Sequence, residues 1–189
     1  MSVFFVSDLH LGHENVLSIR TQFHDIDEHD DFLIEKWNNK VKKHDEVYIL
    51  GDLSFRSSNP ITDYLARMNG KKHLIVGNHD GYWMRKMNHM DTYFQSVEYL
   101  KVMKFEKKQL TLCHYPMLEW PGSRYVESGT SFLIHGHIHN ETDSQVYSYI
   151  KNFQPHALNA CVDINNFEPV TFDELKENNK KWYKRDNLF

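Results

Sequence analysis

A layered α/β fold is predicted by three features of the chain. Short apolar runs alternate with amphipathic segments through its first part. Later apolar runs follow one another with shorter links, and no repeat, low-complexity block or Pro/Gly/Ser-rich linker divides the sequence. A single domain spanning residues 1–189 is the expectation, and a chain of that length buries roughly 70% of the surface its unfolded form exposes.

SVFFVS (2–7) is an apolar run of the kind found in a strand covered on both faces. Leu33, Trp37 and Val41 recur at every fourth position and predict an amphipathic helix from about Glu28 to Lys43. EVYILGD (46–52) follows as a second buried strand. In SSNPITDYLARMNG (57–70), Ser58 or Asn59 is placed to cap a helix that starts at Pro60, presents Ile61, Leu65 and Met68 on one face, and stops at Gly70. KHLIVGNHD (72–80) repeats the design of strand then polar turn. Further strands are expected at about 97–105, 109–114, 131–135 and 157–163. TFDEL (171–175) opens the last helix with a capping box made by Thr171 and Glu174. YPMLEWPGSRYVESGT (115–130) is the longest irregular stretch, of a length at which loops tend to be functional or mobile.

A formal charge of -4 provides no basic field for tracking duplex nucleic acid, so none is expected as a partner. Two cysteines, no signal peptide and no membrane-length apolar run lead to the expectation of a soluble cytoplasmic protein with free thiols and no membrane partner. The oligomeric state is not legible. The unusual feature is thirteen dispersed histidines, because neutral imidazole is the commonest metal ligand.

Polar clusters follow the expected strands. DLH (8–10) follows the first, GD (51–52) the second, GNHD (77–80) the third, His114 ends a later one, and GHIH (136–139) follows the next. In an α/β sheet neighbouring strand ends share a rim, where such folds bind ligands. Asp8, His10, Asp52, Asn78, His114, His137 and His139 would meet there, too many for one metal but suited to two sharing a carboxylate. Gly51, Gly77 and Gly136 sit where backbone turns sharply or lies close to a bound ion. Two divalent cations with Asp8 and Asp52 would leave a charge of about +2, which favours an anionic substrate. Oxygen and imidazole donors without thiolate suit Mn²⁺, Fe or Zn²⁺, with Co²⁺ or Ni²⁺ also compatible.

Asp-x-His, Gly-Asp, Gly-Asn-His-Asp, a lone His and Gly-His-x-His, in this order, resemble the signature blocks of the calcineurin-like metallophosphoesterase superfamily. WNNKV (37–41), LCHYPMLEW (112–120) and NACVDINNFEPVTFDEL (159–175) resemble its small capless bacterial and phage branch. The resemblance implies a four-layer αββα sandwich with the site at the strand ends, and a two-metal hydrolase acting on phosphate monoesters or diesters, small or nucleotide-like. It implies a first metal on Asp8, His10, Asp52 and His139, and a second on Asp52, Asn78, His114 and His137. It further implies a hydroxide between the ions that attacks phosphorus in line, with His79 protonating or stabilising the leaving oxygen. Mn²⁺ is the expected metal.

The match has one departure. In the phosphoprotein phosphatase branch the Gly-Asp motif continues to an acidic residue that orients the catalytic His, and here GDLSFR places Phe55 there. Asp80 or another carboxylate is left as a substitute. Arg56 falls at that branch's Arg position, and Arg20, Trp120 and Arg124 complete the candidates for substrate contact. His13 is either a functional neighbour of the metals or a local turn partner. A metal-dependent nuclease, or a non-catalytic scaffold of the same fold, is the alternative reading. Cys113 as a nucleophile is disfavoured because neighbours on a strand point to opposite faces.

Overall fold

A computed structural model describes residues 1–125 and 128–184. Strands β1 (Val3–Val6), β2 (Glu46–Ile49), β3 (Lys71–Ile75) and β4 (Phe94–Glu98) form a parallel sheet in that order. A second sheet takes β5 (Leu100–Phe105), β6 (Lys108–Cys113), β7 (Ser131–His135) and β8 (Ala157–Asn159), with only the β5–β6 pair antiparallel.

Each layer follows from period-two alternation on strands that are buried on both faces. On β1, Phe4 and Val6 pack with Leu33, Ile34 and Trp37 of helix α1 (Ile26–Lys40) and with Ile61 and Leu65 of α2 (Ile61–Arg67). Phe5, between them in sequence, faces the other way with Tyr48, Leu50 and Ile75, against Leu110, Leu112, Phe132 and Ile134 of the second sheet. The far face of that sheet gives Leu133 to a cluster with Tyr147 and Ile150 of α4 (Gln145–Phe153) and Trp182 of α5 (Phe172–Lys184). Helices, sheet, sheet and helices make the expected αββα sandwich. A single-turn helix α3 (Gly81–Met84) lies between β3 and β4.

Register positions the site. Val6 pairs with Ile49 and Ile49 with Leu74, so β1, β2 and β3 end level, and Leu112 opposite Ile134 does the same for β6 and β7. Ser7 bridges to Cys161 and joins the two rims.

Several local expectations are corrected. Helix α1 starts at Ile26, because Asp25 accepts the Glu28 N–H and caps it, and it ends at Lys40. Pro60 itself stands at the N-cap of α2, and neither Ser58 nor Asn59 caps it. The strand expected over 97–105 is two strands in different sheets, with the chain crossing at Tyr99. No Gly or Pro marks the crossover, and the apolar pattern runs on through adjacent Tyr99 and Leu100. The strand expected over 157–163 stops at Asn159, and a 3₁₀ turn covers Val162–Ile164. Helix α4 was not anticipated, since it buries only Tyr147 and Ile150, too narrow an apolar stripe to read from the sequence. The capping box of α5 is present, with the Thr171 N–H donating to Glu174 Oε2 at 2.8 Å. No described helix is long and apolar enough to cross a membrane.

Candidate metal centre

The turns that leave β1, β2 and β7 hold their polar residues in left-handed backbone. Asp8, His10, Asp52, His137 and His139 have φ of 58°, 55°, 53°, 73° and 46°. That conformation folds each chain back over its strand end and aims the side chains at one another. Glycine makes the closeness possible. A Cβ on Gly77 would sit 2.4 Å from Asp52 Oδ1, one on Gly136 2.5 Å from Asp8 Oδ2, and one on Gly51 2.5 Å from His114 Nδ1.

Asp52 Oδ2 lies at the centre of the group. It is 3.5 Å from His114 Nε2, 3.9 Å from His10 Nε2 and 3.8 Å from His79 Nε2. Its other oxygen accepts the His79 backbone N–H at 2.9 Å. His10 Nε2 and His139 Nε2 face each other at 3.1 Å, with Asp8 Oδ1 3.7 Å from His139 Nε2. His114 Nε2 is 2.9 Å from Asn78 Oδ1. His137 closes the group on the outside, its ring 5.2 Å from that of His114 and its backbone N–H on the Asp8 carboxylate. All seven sequence-predicted ligand residues therefore converge on one rim, and Asp8, His10 and His139, and separately Asp8, Asp52 and His114, bring donor atoms close enough to hold a cation.

Tautomers follow from the outer partners. The Leu50 carbonyl can only accept, so His114 donates to it from Nδ1 at 2.8 Å and turns Nε2 inward. There it meets the oxygens of Asn78 and Asp52, all acceptors. His139 donates from Nδ1 to Asp163 Oδ2 at 3.2 Å, which also leaves Nε2 for the centre. Such a set fits a divalent cation: carboxylate, amide oxygen and imidazole, with acceptors facing acceptors.

Titration reflects the crowding. Burial first, then the charges of His139 and Arg20, hold His10 well below its ordinary value. Burial opposes a charge on His139 too, but the hydrogen bond to Asp163 and the charge of Asp8 outweigh it and raise the pKa. Of the two rings, whose Nε2 atoms face each other at 3.1 Å, His139 therefore holds a proton more readily than His10. Burial raises Asp52 against the pull of His114. Burial would also raise Asp163, yet hydrogen bonds from His139 and Arg20 keep it far below the usual carboxylate range.

Other sequence-predicted residues lie elsewhere. Arg20 is corrected: it is 1% exposed, and its donors are spent on Asp163 at 2.8 and 2.9 Å, on the Leu9 and Asp8 carbonyls and on His29. The left-handed turn at Asp8 points those carbonyls inward, and a buried guanidinium collects them. Trp120 is corrected as well. It is buried with Cys113 and Leu133, and its indole N–H donates to Ser131 at the opposite end of β7 from His135. Loop 115–125 thus doubles back, and exposed Arg124 pairs with Glu119 instead of reaching the rim.

Arg56 is exposed and lies over the Phe55 ring, which packs at 4.2 Å on His79. His13 packs between Phe55 and His10. Asp80 does not orient His79. Its two oxygens accept from the N–H groups of Asp52, Leu53 and Gly77 and from Trp83 Nε1, a clamp across two strand ends. Residues missed from the sequence are Asp163 and Ser7, whose hydroxyl donates to Asp8 at 2.6 Å, and Tyr115, whose ring stands against His114 and His137. Asp163 lies in VDINN, where only its depth in the fold, not its spacing, marks it.

The sequence model of the calcineurin-like phosphoesterase superfamily domain matches residues 1–153. The chain is 30% identical over 175 residues to an uncharacterized protein of Methanocaldococcus jannaschii, spanning 90% of this chain and 87% of that protein. It is 31% identical over 166 residues to the Gene 66 protein of Mycobacterium phage L5, spanning 74% and 78%. Among solved structures it is similar to a protein of unknown function from Aquifex aeolicus, with a TM-score of 0.67, 23% identity, and coverage of 93% of this chain and 97% of that one. That last likeness bears on the fold alone.

Proposed function

The chain belongs to the calcineurin-like phosphoesterase superfamily, and on that premise we propose that it is a hydrolase of small phosphate esters that works with two divalent cations, Mn²⁺ foremost. The first cation would be held by Asp8, His10, Asp52 and His139, and the second by Asp52, Asn78, His114 and His137. One observation carries this reading: Nε2 of His114 faces two oxygen acceptors, Asn78 Oδ1 at 2.9 Å and Asp52 Oδ2 at 3.5 Å. With Nδ1 spent on the Leu50 carbonyl, these three atoms meet as a set of donors suited to a cation.

Bound cations would supply Lewis acidity, acidifying water and polarising the ester in a site that keeps positive charge. The chain's own residues do the rest. Asp52 fixes the separation of the two donor groups because its one oxygen lies within reach of both. Asp163 and the Leu50 carbonyl hold His139 and His114 in the tautomer that turns Nε2 inward. His79 stands at the open side, partly exposed, with its ring braced by Phe55 and its backbone N–H tied to Asp52. That position suits a donor of a proton to the leaving oxygen.

The test is a panel of nitrophenyl and alkyl mono- and diesters, assayed after chelation and after Mn²⁺ is returned, with metal counted per chain. Chelation should abolish turnover and Mn²⁺ restore it, and Asp52→Asn should lose more metal than His139→Ala because Asp52 serves both positions. Turnover by metal-free protein would overturn the proposal.

A further inference from the structure

Beside the metal centre lies a groove that the reaction as described above does not use. Its volume is about 530 Å³, within the range of sites that hold small ligands. It runs between the segment that follows Asp52 and helix α3, and it adjoins the centre through a line of rings. His10 is 5.5 Å from His79, His79 is 4.2 Å from Phe55, and Phe55 is 5.8 Å from Tyr82, which lines the groove. A molecule whose phosphorus sits at Asp52 therefore has its departing side, past His79, directed toward this groove.

The lining is chemically one-sided. Arg56 and Lys86 both contribute to it, both are exposed, and neither pairs with a described carboxylate. Each cation instead lies over a ring, Arg56 over Phe55 at 5.0 Å and Lys86 over Tyr82 at 4.2 Å. No Asp or Glu lines the groove, in a chain with four more acidic than basic residues. The lining also includes hydroxyls and amides, such as Ser58 and Asn88, and the rings of Tyr82 and Trp83. The Arg56 backbone has φ of 51° and lies two residues after Ser54, which is bridged to Leu11. A guanidinium and an ammonium on one lining, aromatic surface and hydrogen-bonding groups together match a nucleotide: a phosphate, a sugar with hydroxyls and a flat base.

We infer that this groove binds the departing half of the substrate and that this half is a nucleotide, held by its own phosphate between Arg56 and Lys86. The inference rests on the proposed hydrolysis for its place in the reaction, though not for the binding itself. In the reaction the bond from phosphorus to the departing oxygen breaks and a water oxygen takes its place. One proton of that water goes to solvent, and the other goes to the departing oxygen beside His79.

The test separates binding from turnover. Adenosine 5′-monophosphate is titrated into protein held in EDTA, so that the metal centre contributes nothing. It should bind, adenosine should bind far more weakly, and affinity should fall as salt rises. Lys86→Glu should weaken binding at least about tenfold, and Ser58→Trp, which fills the groove from an exposed position, should abolish it. In the metal-loaded enzyme the same two variants should lower the ratio of kcat/KM for a dinucleotide whose departing half carries a second phosphate, over methyl nitrophenyl phosphate, by a similar factor. Binding in EDTA that responds to both variants, from protein that turns nothing over when loaded, would leave the groove standing and remove the hydrolase. Turnover of esters with no binding in EDTA, or with binding that neither variant changes, would overturn the groove and leave the hydrolase standing.

Discussion

Replacing Asp163 by Asn removes one charge at the junction between the ligand group and the interior. The carboxylate accepts from Arg20 Nε at 2.8 Å, Arg20 Nη2 at 2.9 Å, His139 Nδ1 at 3.2 Å and Cys161 Sγ at 2.9 Å. An amide offers one oxygen in place of two, and its NH₂ would face donors. Either His139 loses its anchor or Arg20 is left partly unpaired where it is 1% exposed. Loss of an outer partner of a metal-bound histidine typically costs 10 to 100-fold in affinity, so Mn²⁺ binding should weaken by about that factor. Breaking a buried ion pair costs about 3–5 kcal/mol. With one acceptor retained, a loss of about 3 kcal/mol is expected, which for a chain of this size lowers Tm by roughly 6–12 °C.

The pH dependence has a definite sign. The folded Asp163 pKa lies far below its ordinary value near 3.8, so its stabilisation is fully present above that value and fades as pH falls toward the folded pKa. The Tm difference between wild type and Asp163→Asn, measured in EDTA, should be largest between about pH 4 and 6, lose its His139 part as pH rises through that group's raised pKa, keep its Arg20 part to pH 8, and shrink below about pH 4. Equilibrium dialysis against Mn²⁺ gives the other half. A variant with wild-type Tm and wild-type Mn²⁺ affinity would refute the assigned role, and a Tm loss alone would reduce Asp163 to a structural partner of Arg20.

Three further outcomes are expected. Gly136→Ala should displace the Asp8 carboxylate, which a Cβ would meet at 2.5 Å, and so lower bound metal per chain while leaving the circular dichroism spectrum unchanged. Trp120→Ala should cost about 3–5 kcal/mol in denaturant titrations and leave relative rates across the ester panel alike, because the indole packs in the core and not at the rim. His79→Asn should keep both metals and slow an alkyl ester by about 10² or more, with much less effect on a nitrophenyl ester whose leaving group needs no proton. An equal loss on both would exclude the acid role.

What could be read in advance follows physical range. Buried strands announced themselves because burial on both faces writes a continuous apolar run, as in SVFFVS and HLIV. The ligand residues were legible because each sits directly after such a run, where register alone brings it to the rim. The partners that orient them were not. Arg20 and Asp163 meet across 143 positions, and nothing local distinguishes an arginine that reaches into the core from one that meets solvent. Trp120 misled for the same reason: a loop of that length between two ligands reads as a place for substrate contacts, and only the bond to Ser131 shows that it folds back. The crossover at Tyr99 was hidden because no Gly or Pro interrupts 94–105, and the two consecutive apolar residues Tyr99 and Leu100 are too small a break in pattern to mark a change of sheet.

The left-handed backbone at the centre shows why these residue types carry the site. A non-glycine residue at positive φ costs on the order of 1–2 kcal/mol, and the five such positions at the ligand group would together consume much of a typical net stability of about 5–15 kcal/mol. Asp and His are among the few side chains that visit this region readily. The same residues are the oxygen and imidazole donors that a divalent cation takes. Backbone tolerance and ligand chemistry therefore select the same amino acids at the same turns, and the remaining strain is held by contacts that reach the main chain: Asp80 on the N–H groups of Asp52 and Leu53, and Arg20 on the carbonyls of Asp8 and Leu9. Donor placement at this rim is thus a property of the backbone first, with side chains free to turn only within what the turns allow.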